Sequence, residues 1–310
     1  MMTSGRMVLL LVLAAWACLA MAATYPTAYK DPAGATRNLR AEFQYKVNAE
    51  YTLEGEEPVS AGFIVDYAWE AREKALPPLN GVPTLSYELL KGRQQGKATG
   101  AMAAEMAEEE ANFDDAMDPF TVEYQRAPSG EIAGMKCVKG ELPYSGEKMS
   151  FAGALADAIL FSFPFEGGLA FPAAAAEVGD NWRQTETIEL PVPAPVGEAD
   201  APTLELTEEY TVKEIQRINN VDYLVITGSF SGKRTSALHE WEVGGGNIAS
   251  ALVGGAVEGK VTYLFDPAAG TVYRLAADFT AAIDMRREGI TGKITETLAI
   301  KMERTDTGKK

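Results

Sequence analysis

One histidine, His239, and two cysteines, Cys18 and Cys137, are the whole supply of imidazole and thiol in 310 residues. Any Ser-His-Asp or Cys-His site would have to be built on His239. It lies in "SALHEWEV" (236–243). Strand alternation there puts His239 on the face of Trp241 and Val243, with Leu238, Glu240 and Glu242 opposite, so packing against Trp241 is expected. One histidine and one or two cysteines cannot assemble the usual zinc sets. Cys137 sits in the strand-like "GEIAGMKCVKG" (130–140) and is expected to be a buried, inert thiol. Gly254-x-x-x-x-Gly259-Lys260 is one residue short of a phosphate-binding loop. Val261 stands where Ser or Thr should bind magnesium, and "KVTYLFD" (260–266) alternates like a strand, so no nucleotide is expected. Asp114, Asp115 and Asp118 lack the alternating ligands and central glycine of a calcium loop. The expected cofactor list is therefore empty, with no metal. A carboxylate-based hydrolase stays open as a third reading, since acids abound but no spacing singles out a pair.

The residues that must position such chemistry start after a distinct N-terminal segment. Arg6, the apolar run Met7–Leu19 and the small-residue triplet Ala20-Met21-Ala22 read as a secretory signal peptide (1–22), cleaved after Ala22. Trp16 is too bulky for the small-residue box that precedes a lipidated cysteine, so Cys18 is not expected to carry lipid. The formal charge is −16, and −17 once residues 1–22, which hold Arg6 and no acid, are set aside. That balance argues against nucleic acid and anionic membrane surfaces as partners, which need clustered Lys and Arg. With Cys137 alone left, no internal disulfide is possible. No integral membrane span is expected in the mature chain.

Alternation with a period of two then dominates. Residues 23–38 form an extended leader. Phe43, Tyr45, Val47, Ala49, Tyr51 and Leu53 alternate with polar residues, as do Phe63, Val65, Tyr67 and Trp69 beyond the turn "GEEPVS", which predicts a hairpin. "ALPPLNGVP" (75–83) reads as a break before a third strand, "TLSYELLKG". Met102, Met106, Phe113 and Met117 recur at helical spacing in an acidic stretch, which predicts an amphipathic helix over 101–117. A hairpin turns at Ala127-Pro128-Ser129-Gly130, and a second, largely apolar helix is expected over 150–163. After the Pro-rich linker 191–203, six strand candidates follow between 204 and 305. An internal echo relates Tyr124-x-x-x-Pro128-x-Gly130-x-Ile132 to Tyr263-x-x-x-Pro267-x-x-Gly270-x-Val272.

Phe171-Pro172, "VGDNW" (178–182), the strand pair "EEYTVKEIQRINNVDYLVITG" and the hairpin "GGAVEGKVTYLFDPAAGTVYRLAADF" give the chain a resemblance over about 170–290. It resembles a family of secreted bacterial β-rich proteins with a VGD.W turn followed by a Gly-rich hairpin. That resemblance implies an envelope or secreted location and brings no catalytic residues. More loosely, the chain is similar to periplasmic lipoprotein carriers, which enclose acyl chains.

The expected fold is α+β: mostly antiparallel twisted sheets or half-barrels in two related β-rich halves (39–190 and 204–305), with helices on the concave faces. The leading functional expectation is a secreted or periplasmic protein that is not an enzyme. Its partner would be a lipid or other apolar small molecule, or an envelope protein. The apolar ligand would lie between the second helix, through Leu155, Ile159 and Phe163, and a glycine-flanked segment, "GGGNIASALVGG" (244–255), through Ile248, Leu252 and Val253. The alternative is a structural scaffold protein of the envelope with a filled core.

Overall fold

Alternation of apolar and polar residues is carried through nearly the whole chain. The computed structural model describes residues 23–105, 111–140, 169–189, 203–242, 248–287 and 290–305. In it two short strands, β1 (Tyr25–Pro26) and β8 (Ala175–Ala176), pair with each other. All other strands form one antiparallel sheet: β2 (Thr36–Leu53), β3 (Val59–Leu79), β4 (Val82–Gly100), β5 (Asn112–Ala116), β6 (Thr121–Arg126), β7 (Ile132–Lys139), β9 (Asn181–Glu189), β10 (Thr203–Ile218), β11 (Val221–Glu242), β12 (Ile248–Asp266), β13 (Thr271–Arg287) and β14 (Ile290–Arg304). The order across the sheet is β7-β6-β4-β3-β2-β14-β13-β12-β11-β10-β9, with β5 also on β4. The N-terminal and C-terminal strands are thus two wings of one meander, joined where β14 runs antiparallel to β2.

The expectation of an α+β fold with helices on concave sheet faces is overturned: the architecture is nearly all β. Among the described residues the one helix is α1 (Ala101–Glu105). Met102, Met106, Phe113 and Met117 mimic a helical stripe, yet 112–116 is a strand. Registered pairing with β4 overrides the periodicity there: Phe113 lies over Gly96, where a Cβ would fall 1.9 Å from the ring. Asp114 grips Arg93, two strands' outward side chains meeting. The second expected helix, 150–163, lies outside the described residues. "ALPPLNGVP" is not a break, since β3 continues to Leu79 and only Asn80-Gly81 turns, both with positive φ. Two of the six expected C-terminal strands are one strand, β11, with a bulge between Arg234 and Ala237.

The sheet is rolled, as ring contacts across one end require. Trp182 on β9 lies 5.8 Å from Phe171, Phe171 6.1 Å from Tyr29, and the Arg126 guanidinium of β6 4.8 Å from the Tyr29 ring. In a flat sheet β6 and β9 would stand nine strand spacings, roughly 43 Å, apart. The leader threads this end. The Tyr29 amide donates to Pro128 O in the β6–β7 turn, and the Lys30 amide to Gly270 O in the β12–β13 turn. These are the two turns of the internal echo, and their tyrosines, Tyr124 and Tyr263, are both fully buried.

Among the described residues one apolar core lies on the inner face. It includes Leu39, Phe43, Trp69, Tyr87, Tyr210, Tyr263, Phe265 and Phe279. The Trp69 indole donates to the Tyr87 hydroxyl at 2.9 Å and its ring packs 4.2 Å from Phe43. Large rings sit over inner-face glycines: a Cβ on Gly259 would fall 2.4 Å from Phe279. That closeness explains why glycine stands at 259, and it has nothing to do with phosphate.

Candidate functional site: an ionic clasp inside and a polar groove outside

Charged residues occur at inward positions of several strands, against the alternation. Arg37 on β2 and Glu73 on β3 are register partners at the leader end, and Arg126 on β6 faces them. Arg126 holds leader residue Asp31 with two bonds, Nε to Oδ2 at 3.0 Å and Nη2 to Oδ1 at 2.7 Å. Arg37 Nη1 donates to Asp31 at 2.5 Å and to Glu73 at 2.7 Å, and its Nη2 reaches Lys30 O at 2.6 Å. The Tyr124 hydroxyl completes the set on Glu73 Oε2. The side chains of Asp31, Glu73 and Arg126 are each 1 % exposed. Burial pushes the Glu73 carboxyl up, but Arg126, Arg37, Arg304 and the Tyr124 hydrogen bond outweigh it and hold the group at about 2. This cluster fastens the leader across the rolled end. Its carboxylates are saturated with donors, so it is a clasp and not an acid–base pair.

A second buried polar group lies on the other wing. Glu208 Oε2 accepts from the Tyr210 hydroxyl at 2.8 Å and from Gln184. Burial raises the Tyr210 hydroxyl well above its usual range, and nearby Tyr263 and Glu208 add to the effect. Among the described residues no set of three His, Cys, Asp or Glu side chains is placed to hold a metal. Asp114 instead accepts from Arg93 and Gln95.

The outer face carries a groove of about 350 Å³ across β14, β2, β3 and β4. Two adjacent registered rows build it: Ala299–Gln44–Asp66–Gln95 and Lys301–Glu42–Ala68–Arg93. Ala299 and Ala68 are the short members, and they leave a floor between six long polar side chains. Several of those are held by neighbours. Gln44 Nε2 donates to Asp66 Oδ1 at 2.8 Å, Arg40 Nη2 to Glu42 Oε1 at 2.9 Å, and Gln95 Nε2 to Asp114 Oδ2 at 2.9 Å. Arg93 forks onto Asp114, whose carboxyl is drawn down to about 2 first by that hydrogen bond and then by Gln95.

Of the expected ligand residues, only those of the second half of the chain fall among the described residues. Leu155, Ile159 and Phe163 lie outside the described residues. Ile248, Leu252 and Val253 belong to β12, so 248–255 of the glycine-flanked segment is a paired strand. Leu252 is in register with Arg286 and Leu238, and Val253 with Met285 and Ala237. His239 stands opposite Ala251 within β11, and its side chain is outside the described set. Cys137 is half-buried on β7, not buried as expected; among the described residues β7 stands last in the sheet order with β6 as its one strand neighbour. The clasp was missed although it left a signal: Arg37, Glu73, Arg126 and Arg304 occupy the parity of Leu39, Ala71, Tyr124 and Met302. The groove left no signal, because polar residues at outward positions are what a solvated face requires.

Neither a protein-family model nor a curated protein matches the chain. Among solved structures it is similar to an outer membrane channel from Pseudomonas putida F1 (8 % identity, 89 % of this chain and 97 % of that one, TM-score 0.28). It is also similar to a DUF1329 family protein from Desulfovibrio piger (10 % identity, 89 % and 88 %, TM-score 0.17).

Proposed function

We propose that this is an exported, non-enzymatic β protein that serves as a scaffold of the envelope and works through its outer face. The observation that carries this reading is the contrast between the faces. Among the described residues, most inner-face side chains of both wings belong to one continuous buried core, while the groove lies outside. Export rests on the signal-like segment 1–22. Insertion into a bilayer as a barrel is disfavoured by chemistry: a spanning barrel is apolar outside and polar inside. Here Arg40, Glu42, Lys46, Asn48 and Glu50 of β2 and Lys293, Lys301 and Glu303 of β14 point outward, and Leu39, Phe43, Leu298 and Ile300 point inward. Fractionation of the native cells tests the proposal. The protein is expected in the periplasmic or medium fraction, extractable without detergent, with protein partners captured by cross-linking. Recovery only in detergent-solubilised membranes would sink it.

A second reading, an apolar-ligand carrier, is favoured by one feature: away from the clasp, Val47 and Phe63 on adjacent strands are only partly buried. Protein purified from its native compartment would then release lipid on organic extraction.

A further inference from the structure

We infer that the outer groove is a binding site for a neutral, polyhydroxylated ligand, a segment of a glycan chain. The inference rests on the reading that the outer face is the working surface. Three observations set the ligand class. First, the walls balance in charge: Glu42 and Asp66 are matched by Arg93 and Lys301, with the amides of Gln44 and Gln95 between them. A site for a phosphate or a cation would be skewed to one sign. Second, the lining of the one groove supplies both donors and acceptors. Asp66 Oδ2, Gln44 Oε1 and Gln95 Oε1 accept, while Arg93 Nη1 and Lys301 Nζ donate. None of these atoms is used by the bonds that pin the side chains. A sugar hydroxyl both donates and accepts, and so suits such a mixture. Third, the side chains are pre-set. Gln44 is tied to Asp66, Gln95 to Asp114 and Arg93 to Asp114, all on paired strands, which lowers the ordering cost of binding.

The geometry also sets the affinity. Phe43 and Tyr67 contribute to the lining, but both side chains are buried on the inner-face parity and offer no ring for stacking. Recognition is by hydrogen bonds in an open groove. A dissociation constant of about 1 mM per site is expected, a range useful when many copies meet one polymer.

The test uses the full mature chain and a panel of soluble neutral oligosaccharides: maltohexaose, cellohexaose, mannohexaose and chitohexaose. Saturation-transfer NMR and amide-shift titration read the binding. At least one of the four is expected to bind. Its affinity should fall about tenfold or more in the Asp66→Ala/Gln95→Ala double variant. Ala68→Trp, which fills the floor from an exposed position, should abolish it with an unchanged melting temperature. The inference is overturned if none of the four binds at about 10 mM, if Ala68→Trp binds as well as wild type, or if only a sulfated dextran control binds. Uptake of a fluorescent fatty acid, measured on the same sample, would count against the surface-working reading separately, whatever the oligosaccharides do.

Discussion

The two faces of β2 treat a charged residue in opposite ways. Outward, Arg40 and Glu42 meet across exposed side chains, 62 % and 52 % accessible, and water screens the pair. Inward, Arg37 is admitted only with Asp31, Glu73 and a leader carbonyl satisfying it. Removing a partner inside therefore leaves a stranded charge, while removing one outside leaves a hydrated one. The comparison separates residues that hold the roll together from residues free to meet a ligand.

The largest expected effect comes from breaking the clasp. Arg126→Met should destabilise the fold by about 3–5 kcal/mol, measured by urea unfolding, because Asp31 would keep its burial and lose its bidentate partner, and Glu73 would lose one of its cations. A loss below about 1 kcal/mol would mean that the leader is not held by charge. Next is Gly259→Val on the inner face, expected to cost about 1–3 kcal/mol since its Cβ would collide with Phe279 and with Asp278 O. Outside, Arg93→Ala should leave the urea midpoint close to that of wild type, although its geometry is a two-bond fork, because water screens the pair. Equal costs inside and out would erase the distinction between the faces.

Acid sharpens the same contrast. The Glu73 carboxyl titrates at about 2 when folded against an ordinary value of 4.5, so its contribution is complete above about pH 4.5. It is lost as pH falls from there towards 2. The difference in stability between wild type and Glu73→Gln should therefore shrink over that window, followed by unfolding midpoints from pH 7 to 2. A difference independent of pH would show that Glu73 is held neutral.

Most strands were legible because one face of each is buried, which forces a period of two; β2 and β3 show this from Leu39 to Trp69. What misled was a run of apolar residues four and seven apart, Met102, Met106, Phe113 and Met117, of which Phe113 stands on a short strand. Its state was decided by β4, through Gly96 and Arg93, and such a long-range pairing leaves no local mark. The continuity of the two wings was hidden for a related reason. The β2–β14 pairing joins residues more than two hundred apart, and only the tertiary register records it. The groove depends on Ala68 and Ala299 being brought to opposite sides of β2 by that pairing. Neither alanine is unusual alone.

The account stands on the inner face being a closed core and the outer face the working one. Titrating the full chain with a fluorescent long-chain fatty acid tests this most directly. The account predicts no saturable uptake and no change in the melting temperature. Uptake of one equivalent, with a rise in melting temperature, would contradict it and place the working surface inside the roll.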